Sequence, residues 1–312
     1  MRTVPQLRRP PRLRPGMRVS VVAPCSPMPR ERLERACSIV EAWGLEPVLG
    51  EHVLDRHPRL PYLAGLDSDR AADLQAAWLD PTTSAVLCAR GGNGAHRVVD
   101  LLDYSAMRTV APKVFVGYSD VTALHEALAM ELGVSTLHGP VIATREFLEE
   151  EATAEGLRAT LLDPDSLVKL TSPGAETLVP GTARGVTFGG NLSLLSDGLA
   201  TPHSRLSGTG GILLLEDVSE DVSRIDRMLG QLLRTGWLSG VAGIALGSWR
   251  DCTPGPDVVR ALLVERLAPL GVPVVGDLGF GHCPVQLTVP LGAMATLDAD
   301  AATLTLDAPA LA

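Results

Sequence analysis

A two-part α/β architecture follows from three features of this 312-residue chain. Short β-branched apolar runs alternate with helical stretches up to about residue 132, the alternation breaks over 149–180, and three strand-like runs crowd the end. Repeated β-α units call for a parallel sheet covered by helices on both faces. The length favours two cores over one. We therefore expect an α/β fold with a parallel-sheet N-terminal domain over 14–150, a connection over 151–180, and a smaller β-rich α/β C-terminal domain over 181–312.

The elements follow in order. A strand over 19–23 leads to a helix over 31–43 and a short strand over 47–49; a helix over 68–79, a strand over 85–89 and a helix over 95–102 come next. The run Val114-Phe115-Val116 is β-branched and aromatic, as strands are. Directly after it, Val121, Leu124, Leu128 and Leu132 mark one face of a helix that Gly133 closes. The break contains Asp163-Pro164-Asp165 and Ser172-Pro173-Gly174, both turn-forming. Beyond it, apolar runs at 212–215, 244–246 and 272–275 alternate with helical segments, one of them carrying Val222, Ile225, Leu229 and Leu232. The runs at 287–289, 295–297 and 303–306 read as antiparallel strands.

Composition excludes several classes of function. The formal charge of −9 argues against a large phosphate-binding surface, so nucleic acid is not expected as a partner. Cys25, Cys37, Cys88, Cys252 and Cys283 are odd in number and have no C-x-x-C pair, which indicates neither a disulfide framework nor a structural zinc site. The arginines at 2, 8, 9, 12 and 14 precede no apolar run of secretory type, and no stretch reaches the length of a membrane span. A cytoplasmic location, no membrane and no cofactor or metal are the resulting expectations.

Ser119 is the leading candidate for chemistry. It lies in Gly117-Tyr118-Ser119-Asp120, where strand, sharp bend and helix meet without a loop, the layout of a nucleophile elbow that lacks the second glycine of G-x-S-x-G. In parallel sheets, ligands sit beyond the carboxyl ends of the strands, and Ser119 is at such an end. The alternative is a helix cap made by Ser119 and Asp120. A serine needs a base, and the base needs an orienting partner. Among the histidines, His52 and His57 fall in a polar loop and His96, His125 and His203 in helical or turn contexts; His138 and His282 each adjoin glycine near a strand end. Glu216 follows Ile212-Leu213-Leu214-Leu215 and is the acid candidate, with a helix start at Glu216 or Asp217 as the other reading. Arg90-Gly91-Gly92-Asn93-Gly94 suits an anion or oxyanion cradle, or a plain turn; its order is not G-x-G-x-x-G. Cys25 is a rival nucleophile without an evident base.

Six segments in chain order together resemble the LD-carboxypeptidases and their microcin C immunity relatives, which are Ser-Glu-His enzymes. They are Val21-Val22-Ala23-Pro24, Arg90-Gly91-Gly92-Asn93-Gly94-Ala95, Gly117-Tyr118-Ser119-Asp120-Val121, His138-Gly139-Pro140 with Gly189-Gly190-Asn191-Leu192-Ser193, Leu215-Glu216-Asp217 leading to Arg224-Ile225-Asp226-Arg227, and Gly281-His282 leading to Pro290-Leu291-Gly292. The resemblance implies a flavodoxin-like first domain bearing Ser119 as nucleophile, a second domain bearing Glu216 and His282, and oxyanion donors at the amides of Gly92 and Asp120. It also implies a homodimer and a small peptide substrate with a free carboxylate, the cytoplasmic murein tetrapeptide, which loses its terminal D-alanine. Asn93, where a tyrosine is common, and Cys283-Pro284 depart from the pattern near the cleft. Two other readings keep the fold: an aminoacyl or peptidyl nucleotide as substrate, or a non-catalytic binding protein. The nucleotide branch stacks a tryptophan from the loop before Gly-Gly-Asn-Leu. Here Trp43, Trp78, Trp237 and Trp249 all lie elsewhere, which favours the cell-wall peptide.

Overall fold

The computed structural model describes residues 3–312 as an α/β protein built on two sheets. The first has strands β1 (Arg18–Val22), β2 (Glu46–Leu49), β3 (Thr83–Cys88), β4 (Val114–Gly117) and β5 (Thr136–His138), all parallel, in the order β5-β4-β3-β1-β2. That 2-1-3-4-5 order is the flavodoxin-like one, and its switch point lies between β1 and β3. Alternate residues bury on opposite faces. Val19, Val21, Leu87 and Val116 join one core and Val22, Val86, Cys88 and Phe115 another, so both faces are covered.

The remaining strands are β6 (Lys169–Leu170), β7 (Glu176–Val179), β8 (Thr182–Asn191), β9 (Gly211–Val218), β10 (Gly243–Arg250), β11 (Val274–Gly276), β12 (Val289–Leu291), β13 (Met294–Asp298) and β14 (Thr303–Leu306). All but β12 form the second sheet, in the order β6-β14-β13-β8-β9-β10-β11-β7, with β8 to β11 parallel and the flanks antiparallel. Its outer face is closed by helices Val222–Arg234 and Pro256–Leu267 through Ile225, Leu229, Val259 and Leu263. Its inner face, through Ile212, Leu214, Ala245 and Leu297, shares one continuous core with the first sheet and with Leu157 and Leu161 of helix Glu151–Leu162.

Four elements differ from the expectations. The helix expected over 95–102 is one turn, His96–Val99, after which residues 100–102 turn into a second short helix, Tyr104–Met107. Of the run at 287–289 only Val289 lies in a strand: it opens β12, which leaves its neighbours and pairs antiparallel with β5 of the first sheet, Val289 opposite His138. Segment 151–180 supplies the two edge strands β6 and β7 of the second sheet. The ten-residue β8 escapes a pattern reading because its Gly185, Gly189 and Gly190 carry no side chain to reveal an alternation.

Candidate active site

Ser119 stands directly beyond β4. Tyr118 is extended, Ser119 turns into the left-handed region at φ 64°, and a single 3₁₀ turn (Ser119–Val121) runs into helix Thr122–Leu132. A left-handed non-glycine residue is strained and persists only where its surroundings hold it. The elbow also explains its missing glycine. A Cβ on Gly117 would lie 2.7 Å from Val121 Cγ1, so the space freed at Gly117 accommodates the side chain at Val121.

Glu216 and His282 reach Ser119 from the second sheet. Glu216 lies within β9 rather than past its end, its side chain fully buried, in register with Asn191 of β8. His282 sits on the loop between β11 and β12, 17% exposed. Its Nδ1 is 2.6 Å from Glu216 Oε2, and its Nε2 is 3.1 Å from Ser119 Oγ. An ionised carboxylate only accepts, so Nδ1–H donates to Glu216 and Nε2 is left to accept from the Ser119 hydroxyl.

Burying a carboxylate costs several kcal/mol unless partners replace its water. Glu216 accepts from His282 Nδ1, from the His282 amide at 3.3 Å and, through Oε1, from Asn191 Nδ2 at 3.3 Å. Burial pushes its pKa up, but the His282 charge and hydrogen bond outweigh it and the net direction is down. For His282 burial pushes down, and the Glu216 carboxylate, followed by Asp217 and Glu146, brings the net direction up. Asp217 is raised to about 6 by burial and the adjacent Glu216 charge; it accepts from Asn191 Nδ2 at 2.9 Å and the Ser193 amide at 2.9 Å. The helix start considered for Glu216 or Asp217 falls instead to Asp221, whose side chain accepts from the Ser223 amide.

The glycine loop approaches the serine from the other side. A Cβ on Gly91 would lie 3.0 Å from Ser119 Cβ and 3.3 Å from its Oγ. Ser26 braces the loop: its amide donates to Gly91 O at 3.1 Å, its Oγ accepts from the Asn93 amide at 3.0 Å, and its hydroxyl donates to Tyr62 O. Asp120, buried, accepts the Ala95 amide at 2.8 Å. The glycine loop is thereby tied down at Gly91, Asn93 and Ala95 beside Ser119, an arrangement suited to binding an oxyanion.

The other candidates go elsewhere. His138 is fully buried behind the site with its ring 6.0 Å from that of Tyr118, and burial lowers it to about 4. His125 binds Gly117 O and Thr136 Oγ1, both at 2.8 Å. His203 lies between Glu131 and Asp100, His57 accepts the amides of Arg59 and Leu60, and His96 lines a separate cavity with His203. Burial and then the Asp120 charge push the Cys25 thiol up, the opposite of what a nucleophile needs. His52, Asp55 and Asp69 bring ligand atoms within 4.8 Å on the surface, where His52 already pairs with Asp55 at 2.9 Å. The sequence gives Ser26 and Asn191 no role and Asp217 only the alternative of a helix start. Asn191 had a readable signal, since Asn before Leu-Ser-Leu-Leu is a helix cap, and it does cap Leu192–Asp197.

Residues 19–139 match the LD-carboxypeptidase N-terminal domain, and residues 184–297 the LD-carboxypeptidase C-terminal domain. The chain belongs to the LD-carboxypeptidase family. As such it is a hydrolase, a serine-type peptidase. It is 58% identical over 306 residues to a putative carboxypeptidase from Streptomyces coelicolor, covering 98% of each chain. It is 31% identical over 293 residues to a murein tetrapeptide carboxypeptidase from Pseudomonas aeruginosa, covering 90% of this chain and 93% of that one. Among solved structures, the microcin immunity protein MccF in complex with glutamyl sulfamoyl guanosine superposes with a TM-score of 0.87 at 21% identity, over 99% of this chain and all of the other. That structure shares the fold of this chain. No helix among the described residues is long and apolar enough to cross a membrane.

Proposed function

We propose that this family member hydrolyses the amide between an L-configured centre and a terminal D-amino acid, converting the murein tetrapeptide to tripeptide plus D-alanine. The observation that carries the reading is the line Glu216–His282–Ser119, at 2.6 and 3.1 Å. His282 Nε2 takes the proton of Ser119 as Oγ attacks the carbonyl carbon, and the amides of Gly92 and Asp120 hold the oxyanion. Glu216 keeps the imidazole in the productive tautomer and stabilises its cation. The tetrahedral adduct collapses, His282 passes the proton to the leaving amine, and the C–N bond breaks. Water, deprotonated by the same imidazole, then cleaves the ester and restores Ser119.

In this reading the division at 14–150, 151–180 and 181–312 separates the nucleophile from its base and orienting acid. Cytoplasmic recycling and a homodimer belong to the same proposal, and the five free cysteines suit a reducing compartment. Substituting Ser119→Ala tests it: hydrolysis of the tetrapeptide falls by roughly 10⁴ to 10⁶ while the melting temperature holds. Parent-like turnover in that variant refutes the assignment. Cleavage of only an aminoacyl nucleotide conjugate by the parent moves the substrate to the immunity branch.

A further inference from the structure

We propose that Arg250 binds the free carboxylate of the leaving amino acid, an assignment that rests on the peptidase reading above. The stereochemistry of the reaction sets where that carboxylate lies. His282 must protonate the leaving amine, so the departing residue sits over the imidazole, on the side away from the glycine loop. Its carboxylate is one carbon further out. The cation that receives it therefore belongs to the His282 side of the cleft.

Arg250 meets this condition. It pairs in register with Val218, which shares a strand face with Glu216 two residues earlier, so Arg250 emerges on the face that carries Glu216, about 7 Å further along the strands. It meets Glu146 of helix Arg145–Glu149, Nη1 to Oε1 at 3.3 Å. The Ser248 amide, two residues before Arg250, donates to the Phe280 carbonyl at 3.0 Å, which sets the end of this strand against the loop that carries His282. Asp251 Oδ2 faces Nε at 3.4 Å. These two contacts hold the guanidinium while its Nη2 edge remains for a ligand. The side chain is 45% exposed.

Arg90 is the competing cation. It precedes the glycine loop, on the oxyanion side, and its Nη1 donates to the Pro27 carbonyl. That places it nearer the acyl portion of a substrate than its leaving group.

The test compares a tetrapeptide ending in a free carboxylate with its C-terminal amide, in the parent, Arg250→Gln, Arg250→Lys and Arg90→Gln. Losing one charge-assisted contact in Arg250→Gln raises KM for the acid about 10- to 100-fold, changes kcat by less than about threefold, and erases the preference for acid over amide. Arg250→Lys recovers part of that preference, which a merely structural arginine would not do. Melting temperatures establish that each variant is folded. A parent-like acid-to-amide ratio in Arg250→Gln, or its collapse in Arg90→Gln instead, overturns the assignment while leaving the peptidase reading intact. A parent that cleaves neither peptide overturns both.

Discussion

His282 is pulled in two directions, and the outcome sets the pH at which the site works. Burial alone would favour the neutral ring, but the Glu216 carboxylate, with Asp217 and Glu146 behind it, raises the pKa above the usual histidine value of about 6.5. The base acts only when neutral. The acid limb of kcat/KM is therefore expected to have its midpoint above about 6.5, activity falling as pH drops through it. Replacing Glu216→Gln removes the largest raising charge and leaves an amide in its place. The midpoint then moves down, and kcat falls by about 10²- to 10⁴-fold because the imidazole loses both its tautomer lock and its counter-charge. A pH–rate profile of parent and variant checks both effects; an unmoved midpoint means that Glu216 does not govern the base. The same raised pKa contributes stability that is present below about 6.5 and lost as pH rises through the folded value.

The loop after β3 and the elbow after β4 work as one device, and glycine substitutions separate its chemistry from its stability. At Gly91 a methyl group would sit 3.3 Å from Ser119 Oγ and 3.2 Å from the Tyr118 carbonyl. Gly91→Ala is expected to shift the serine or the loop by a few tenths of an ångström and to lower kcat by about 10²-fold with little change in melting temperature. Gly133 offers the contrast: it ends helix Thr122–Leu132 at φ 63° in open space, so Gly133→Ala costs roughly 1 kcal/mol of stability and leaves kcat unchanged. Kinetics and thermal melts on the two variants test the division. The elbow is legible from sequence because strand, bend and helix are all local, and the β-α rhythm of the first sheet is legible for the same reason. Partnerships across the chain are not. Nothing in Leu287-Thr288-Val289 reveals that Val289 opens a strand paired with β5, and Glu216 reads as a strand end because a buried charge looks like an interruption until Asn191 and His282 are seen to satisfy it.

The two sheets behave as one body because a single apolar core runs between them, so unfolding is expected as one cooperative transition. Two buried histidines make that transition sensitive to acid. Burial lowers His125 to about 3 and His138 to about 4. Between about pH 6.5 and 4 the unfolded chain takes up protons at both positions that the folded chain refuses, so stability falls as pH falls, by roughly 1.4 kcal/mol per unit for each group. Asp217, raised to about 6, acts in the opposite sense over its own range, which makes the difference between variants more informative than the parent curve alone. His138 is the better probe. Its two ring nitrogens have no hydrogen-bond partner, its neighbours are Tyr118, Phe280 and His125, and it lies on β5 opposite Val289, at the seam where a strand from the far end of the chain joins the first sheet. A phenyl ring fits that aromatic setting and cannot titrate. His138→Phe should match or exceed the parent's stability at pH 7 and lose less of it on the way to pH 4, in urea melts followed at half-unit intervals. Equal acid slopes in the two proteins would mean that the proton uptake lies elsewhere and that the seam does not limit acid tolerance.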